Sequence, residues 1–134
     1  MTQQFFVNLP VKDPKRSLQF WKDVGYGSNP QLTGDGFTCI IFGEAFFAML
    51  LEREKWNTFS PSPVSPSAKN PTVIVGLGCS SREDVQQKVE RALAAGAKRH
   101  GEPEDYGTMY QDSFVDLDGH GWAMTYMDPS QSPK

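Results

Sequence analysis

The chain contains one order of predicted segments twice, and this repeat limits the possible folds more than any other feature. An apolar run from Phe5 to Val11 leads into Asp13-Pro14, which is typical of a helix start because Asp caps the first turn and Pro suits the first helical position. Apolar residues then recur at helical spacing as far as Val24, and Gly25 ends the helix. The first half therefore begins with a predicted strand followed by an amphipathic helix.

The second half begins in the same way. A strand-like run at 72–79 is followed by Ser80-Ser81-Arg82-Glu83, which resembles a capping box, and by apolar residues at helical spacing up to Gly96. Further strand-like runs complete both halves: 37–42 and 46–51, with a weaker run near 26–32, and then 98–103, 109–116 and 122–127. Asp118-Gly119 is the predicted final turn.

A Ser- and Pro-rich stretch at 54–71 lies between the halves, and we expect it to be a surface crossover. We predict one domain, residues 1–134, with modules at about 4–53 and 72–128 and a polar tail at 129–134. The element order favours an α+β fold. Each module would have a curved sheet with its helix on the convex side, and the concave faces would enclose a cleft for a small ligand.

Charge and hydropathy argue against several classes of protein. Thirteen Lys and Arg against sixteen Asp and Glu give a net charge of −3 without a basic block, so nucleic acid is not an expected partner. No apolar stretch approaches the roughly 20 residues that a membrane span requires, and the start does not resemble a signal peptide. We expect a cytoplasmic protein without a membrane partner. Cys39 and Cys79 lie in apolar runs and are interpreted as small buried side chains.

Two motifs carry a family resemblance. Phe6 to Trp21 contains a strand followed by Asp, Ser, Phe and Trp at fixed spacing, and Asp116 to Trp122 reads Asp-Leu-Asp-Gly-His-Gly-Trp. In combination they resemble the vicinal-oxygen-chelate superfamily, which includes glyoxalase I, extradiol dioxygenases, and fosfomycin and bleomycin resistance proteins. The resemblance implies two βαβββ modules that form a curved mixed sheet around a cleft. It also implies one bound divalent metal in most members.

The metal ligands of the family would fall at four positions of this chain. They are a His early in the first strand, a Glu or His late in the first module, a His in the strand that opens the second module and a Glu in the last strand. The corresponding residues here are Phe6, Leu50, Ile74 and Ala123, none of which offers oxygen or imidazole. We therefore predict no metal and no other cofactor.

The remaining polar residues leave one alternative open. Asn8 and Glu52 lie two residues further along their strands and therefore on the same faces as Phe6 and Leu50, where they would provide oxygen. His120 lies in the Asp-Gly-His-Gly turn, where the family has a recurring structural residue, and His100 is expected in a solvated loop. No nucleophile and base pair is visible, so no catalytic residue is predicted.

Strand alternation extends these positions to a set of ligand-facing residues. Ala48 and Leu50 are assigned to the cavity side, and Met49 and Leu51 to the helix side. Tyr110 is placed at the mouth. The predicted ligand-binding set is Phe6, Asn8, Leu50, Glu52, Ile74, Tyr110, Ala123 and Thr125.

Three functions remain open at this level. The favoured one is metal-free binding of a small molecule, similar in logic to bleomycin resistance proteins, which sequester a ligand in clefts formed by two chains. A homodimer is expected from the same resemblance. The second is a metal-dependent lyase or dioxygenase with a non-standard site. The third is a scaffold role in which apolar side chains fill the cleft.

Overall fold

The computed structural model describes residues 1–60 and 73–131, and the chain divides into two compact units, Met1–Ala68 and Lys69–Lys134. Each unit contains a mixed sheet and helices, which confirms the predicted α+β class. No helix of the described part of the chain is long and apolar enough to cross a membrane.

Unit 1 contains four strands and two helices. They are β1 (Phe5–Val11), α1 (Pro14–Val24), β2 (Gly27–Ser28), β3 (Phe37–Gly43), β4 (Phe46–Glu52) and α2 (Arg53–Phe59), with a 3-10 turn at Pro30–Leu32. The strand order in the sheet is β1-β4-β3-β2. β1 runs parallel to β4, and the other neighbours are antiparallel.

The predicted first helix is confirmed, and its ends follow from local chemistry. The Asp13 side chain accepts a hydrogen bond of 3.0 Å from the Lys15 N–H, and Pro14 occupies the first helical position. At the other end Gly25 adopts a φ of 123°, and its N–H donates to the Trp21 carbonyl. Trp21 is buried and makes an edge contact of 5.2 Å with the ring of Phe42, so α1 packs on the sheet through this side chain.

Unit 2 repeats this arrangement. Its elements are β5 (Ile74–Gly78), α3 (Arg82–Ala94), β6 (Lys98–Arg99), β7 (Glu104–Asp105), β8 (Met109–Val115) and β9 (Gly121–Met127). The strand order is β5-β9-β8-β6, and β7 also pairs with β8. The first strand is again parallel to the last one. Ser81 caps α3, since its hydroxyl accepts a 3.0 Å hydrogen bond from the Asp84 N–H.

Three local predictions need correction. α2 lies at the start of the predicted crossover, where the helix-forming residues after Glu52 precede the Pro-rich stretch. The weak strand near 26–32 shortens to β2, because Pro30 cannot donate to a ladder and starts a 3-10 turn. The strand at 98–103 is only β6, because Gly101 turns the backbone with a φ of 79°. Residues 61–72 of the crossover and 132–134 of the tail lie outside the described residues.

The Asp116 carboxylate holds the turn between β8 and β9. One oxygen accepts hydrogen bonds from the N–H groups of Asp118 and His120, at 2.9 and 3.0 Å. The other accepts a 2.8 Å bond from the indole N–H of Trp122, and Gly119 supplies the positive φ of 88° that the turn needs. The motif from Asp116 to Trp122 therefore builds a turn, and His120 lies in that turn as predicted.

Both cysteines are free thiols, as predicted. Cys39 is buried within unit 1, and Cys79 is half-buried at the end of β5. Burial raises the pKa of both thiols, so neither is activated as a nucleophile at neutral pH.

Candidate ligand-binding faces

Strand pairing separates two faces of the unit 1 sheet. Ile40 lies opposite Ala48, and Leu50 lies opposite Thr38 and Leu9. Thr38, Ile40, Ala48 and Leu50 are all fully buried. Because α1 contacts β3 and β4, these residues form the face that the helix covers.

The other face is called the open face of unit 1. Its residues from β1 and β4 are paired in register as Phe6 with Phe47, Asn8 with Met49 and Pro10 with Leu51. Phe37, Cys39 and Ile41 of β3 continue the same rows. Phe6 is 40% exposed and Asn8 is also exposed, so this face is accessible at the β1 edge.

The placement of Leu50 among the ligand-facing residues was wrong. Leu50 is 1% exposed and lies on the covered face, whereas Met49 shares the open face with Phe6 and Asn8. A shift of one residue moves a strand side chain to the opposite face. The sequence of β4 is apolar on both faces, so alternation offers no signal that would reveal the shift.

The register identifies the correct counterpart of Leu50. In unit 2, Ile74 lies opposite Gly121, which is two residues before Ala123. In unit 1, Phe6 lies opposite Phe47, which is two residues before Met49. Met49 therefore occupies the position in unit 1 that Ala123 occupies in unit 2. The thioether of Met49 is a soft ligand and does not suit a hard or borderline divalent metal ion.

Glu52 is also misplaced in the predicted set. It lies opposite Val11, on the other face from Asn8, and its carboxylate is directed at the loop before β3. A Cβ added at Gly36 would lie 2.8 Å from a carboxylate oxygen of Glu52. The oxygens of Asn8 and Glu52 therefore do not converge. Within residues 1–60 and 73–131, no three His, Cys, Asp or Glu side chains are grouped to hold a metal ion.

The unit 2 sheet also has a covered and an open face. Phe114, Trp122 and Met124 are fully buried on the face against α3. The opposite face is called the open face of unit 2 and is formed by alternate residues of its strands: Ile74, Gly76, Gly78, Met109, Gln111, Ser113, Val115, Gly121, Ala123, Thr125 and Met127. The structure thus brings three predicted residues, Ile74, Ala123 and Thr125, to one face. Their contact with a ligand stays a prediction.

Tyr110 does not belong to this open face. It lies opposite Tyr126 on the covered side, where the Arg82 guanidinium is 5.3 Å from its ring centre. Its hydroxyl accepts a 3.4 Å hydrogen bond from the Gln86 side chain of α3. Tyr110 therefore does not share a face with Ile74, Ala123 and Thr125, and its place at the mouth of a cleft stays a prediction. Its separation from Phe114 by an even number of strand residues is the signal that would have assigned it to the helix side.

Two polar side chains that the sequence did not connect meet on the open face of unit 2. The Thr125 hydroxyl is 3.4 Å from the amide oxygen of Gln111, to which it donates a hydrogen bond. In unit 1, Asn8 provides the polar group. The side-chain amide of Asn8 makes no hydrogen bond with any of the residues that the structure describes.

Charged residues are absent from the open-face positions of β1, β3 and β4, and of β5, β8 and β9. Lys98 and Glu104 lie on the open side of unit 2 only at the edge strands β6 and β7, and their charges are opposite. Both open faces are therefore apolar with a few neutral polar groups, and some of their residues, among them Cys39, Leu51 and Ala123, are buried.

The comparisons agree with this architecture. The hypothetical protein SA1046 from S. aureus is 27% identical, with 94% of each chain covered and a TM-score of 0.79. A glyoxalase/bleomycin resistance protein/dioxygenase family enzyme from Burkholderia phytofirmans is 17% identical, with a TM-score of 0.79 and 91% of this chain and 96% of that chain covered. The fosfomycin resistance protein FosX from Mesorhizobium loti is 12% identical, with 98% of each chain covered and a TM-score of 0.70.

Among curated proteins none matches the chain. Residues 3–124, nearly the whole chain, match the family described as the glyoxalase/bleomycin resistance protein/dioxygenase superfamily. With the strand order, the repeated units and the Asp116 turn, this match identifies the chain as a member of the glyoxalase/bleomycin resistance protein/dioxygenase superfamily.

Proposed function

We propose that this protein binds a small organic molecule on the open faces of its sheets without a metal ion. The observation that carries the proposal is the chemistry at the four positions equivalent to family metal ligands. With Met49 in place of Leu50, the residues at these positions are Phe6, Met49, Ile74 and Ala123. None provides an oxygen or imidazole ligand, so binding energy must come from apolar contact and neutral hydrogen bonds.

The exposure of apolar side chains on the open faces supports this proposal. Phe6 is 40% exposed, and Ile74 and Met127 are 59% and 43% exposed. In unit 1, Phe6 is stacked on Phe47 of the same face, and contiguous exposed apolar surface of this kind is typical of binding sites. Asn8 and the pair of Thr125 and Gln111 would supply the few polar contacts that orient a ligand.

Elemental analysis tests the metal-free part of the proposal. Tag-free protein is analysed as purified and after incubation with Zn, Ni, Mn and Fe(II), followed by removal of free metal. We expect far less than one metal ion per chain in every sample. One metal ion per chain would overturn the proposal and favour the second candidate, a metal-dependent lyase or dioxygenase with a non-standard site.

A fragment screen tests the binding part. Neutral, anionic and cationic fragments are added to ¹⁵N-labelled protein, and amide shifts are mapped. We expect fragments that shift amides of Phe6, Asn8 and Met49 or of Ala123 and Thr125. If no fragment shifts the amides of either open face, the scaffold role is favoured and the proposal is wrong.

A further inference from the structure

We infer that the ligand of the open face of unit 1 is an uncharged aromatic molecule with one hydrogen-bonding group. This inference rests on the proposed function and specifies its ligand. Three observations carry it: the charge of the face, the geometry of its aromatic side chains, and the position of its polar amide.

The lack of charged residues on this face argues against an ionic ligand. The residues of the face on β1, β3 and β4 are all neutral. A charged group does approach one end of the face, where the Lys55 ammonium lies 5.8 Å from the ring centre of Phe37. Phe37 pairs in the same row as Pro10. Pro10 is four residues after Phe6 on β1, so this row lies roughly 13 Å from Phe6 along the strand. A charged group bound beside Phe6 would lose water without gaining an opposite charge.

The aromatic side chains of the face favour a flat ring. Phe6 and Phe47 are stacked across the pair of β1 and β4, with ring centres 4.9 Å apart and planes inclined by 22°. β1 is the edge strand of its sheet, and 40% of Phe6 is exposed. A third ring can therefore extend the stack over Phe6. Met49, in the adjacent row, offers a thioether, which also contacts aromatic rings favourably.

The polar amide of Asn8 indicates where the ligand carries its hydrogen-bonding group. Asn8 lies two residues along β1 from Phe6, at a distance of roughly 7 Å, and directly opposite Met49. Its side chain is exposed and offers both a donor and an acceptor. A ring that stacks on Phe6 would place a hydroxyl or carbonyl group on its edge within reach of this amide.

Three naphthalenes that differ in charge test the inference. 2-Naphthol is neutral at pH 7, whereas 2-naphthoate is an anion and 2-naphthylmethylammonium is a cation. Each is titrated into ¹⁵N-labelled protein, and dissociation constants are obtained from amide shifts. We expect 2-naphthol to shift the amides of Phe6, Asn8, Phe47 and Met49 and to bind at least about tenfold more tightly than either ion. Equal or tighter binding of an ion would overturn the inference.

Two phenylalanine variants provide a matched comparison. Phe5 and Phe6 are neighbours on β1 and are 56% and 40% exposed, but they lie on opposite faces. Phe6→Leu should weaken 2-naphthol binding roughly three- to tenfold, because it removes the stacking partner and keeps an apolar side chain. Phe5→Leu should leave the affinity unchanged. An equal effect of both variants would contradict the placement of the ligand on the open face.

The fragment screen separates failure of this inference from failure of the proposed function. If 2-naphthol does not bind but charged or aliphatic fragments shift the open-face amides, the ligand class is wrong and small-molecule binding stands. If neither 2-naphthol nor any fragment shifts these amides, both the ligand class and the proposed function are wrong.

Discussion

At the scale of single residues, Asp116 combines burial with three hydrogen bonds. Its oxygens accept from the N–H groups of Asp118 and His120 and from the indole of Trp122. Burial raises the pKa of the Asp116 carboxyl, although the charge of His120 and the hydrogen bonds oppose this effect. The hydrogen bonds thus keep a half-buried acid in the turn that joins β8 to β9.

We expect Asp116→Asn to lower the free energy of unfolding by about 1–3 kcal/mol. The amide oxygen can still accept from the backbone, but its NH₂ group would face the Trp122 indole, which is also a donor. Urea unfolding monitored by far-UV circular dichroism measures the change. Asp35→Asn, at an exposed position, is the control and should be neutral. Equal stability of Asp116→Asn and wild type would contradict the role of the turn.

The loss of stability in Asp116→Asn relative to wild type should depend on pH. Because the pKa of folded Asp116 is raised, its stabilising contribution is complete below its unfolded pKa of about 4 and is lost as pH rises through the folded value. Asn does not titrate. The difference in unfolding free energy between wild type and Asp116→Asn should therefore be larger at pH 4 than at pH 7. A larger difference at pH 7 would contradict the direction of the shift.

Leu50 and Met49 provide a test of the corrected faces. Leu50→Ala should lower the free energy of unfolding by about 2–5 kcal/mol, because it leaves a cavity beneath α1. Met49→Ala, on the open face and half-buried, should cost only about 1 kcal/mol. Urea unfolding of both variants measures the two losses. The reverse order would restore the original assignment of β4.

At the scale of elements, the two shortest strands of unit 2 are each held by one arginine and one aspartate. In β6, Arg99 pairs at 2.7 Å with Asp112, which is 4% exposed on the covered face. In β7, Asp105 accepts bonds of 2.6 and 3.0 Å from Arg82, the first residue of α3. Arg82 also donates to the Gly107 carbonyl at 3.2 Å. These contacts connect the exposed stretch 100–108 to the rest of the unit.

We expect Arg82→Lys to loosen β7 without unfolding unit 2. Lysine retains the charge but cannot make the paired contact to Asp105. The amide of Tyr106, which donates to the Met109 carbonyl at 2.8 Å, should exchange with solvent roughly threefold faster. Amides of β9 should be unaffected. Hydrogen exchange followed by NMR measures both, and unchanged exchange at Tyr106 would show that Arg82 does not hold the strand.

In wild type, the contact between Arg82 and Asp105 should weaken in acid. The hydrogen bond from Arg82 lowers the pKa of Asp105 to about 2. Its contribution is therefore present above the unfolded value of about 4 and is lost as pH falls toward 2. Exchange at Tyr106, corrected for its intrinsic pH dependence, should approach that of Arg82→Lys over this range.

At the scale of the whole molecule, the chain uses one topology twice. In each unit the first strand runs parallel to the last one, and the helix between them covers one face of the sheet. The face that the helix covers carries fully buried large side chains in each sheet, among them Ile40 and Leu50 in unit 1 and Phe114 and Trp122 in unit 2. Exposed apolar side chains lie on the open faces, as at Phe6 and Ile74, and also at the edge of the covered face of unit 1, at Phe5 and Phe46. Most of the buried strand residues therefore lie on the covered faces, and binding on the open faces stays a proposal.

The homodimer expected from the family resemblance stays a proposal for this chain. Sedimentation equilibrium should give twice the 14.9 kDa mass of one chain. The fraction of dimer should rise with protein concentration. A single species at 14.9 kDa across the accessible concentrations would contradict the proposal.

The sequence by itself determined the order of the longer strands and of α1 and α3, the helix cap at Asp13, and the turn after Asp116. The cap of α3 is Ser81, one residue after the Ser80 that the predicted capping box favours. These features depend on residues close together in the chain, so local chemistry is sufficient. Only the tertiary structure decided that Met49 lies on the open face and Leu50 on the covered face. β4 is apolar at nearly every position, so its faces are distinguished by pairing with distant strands and not by its own pattern.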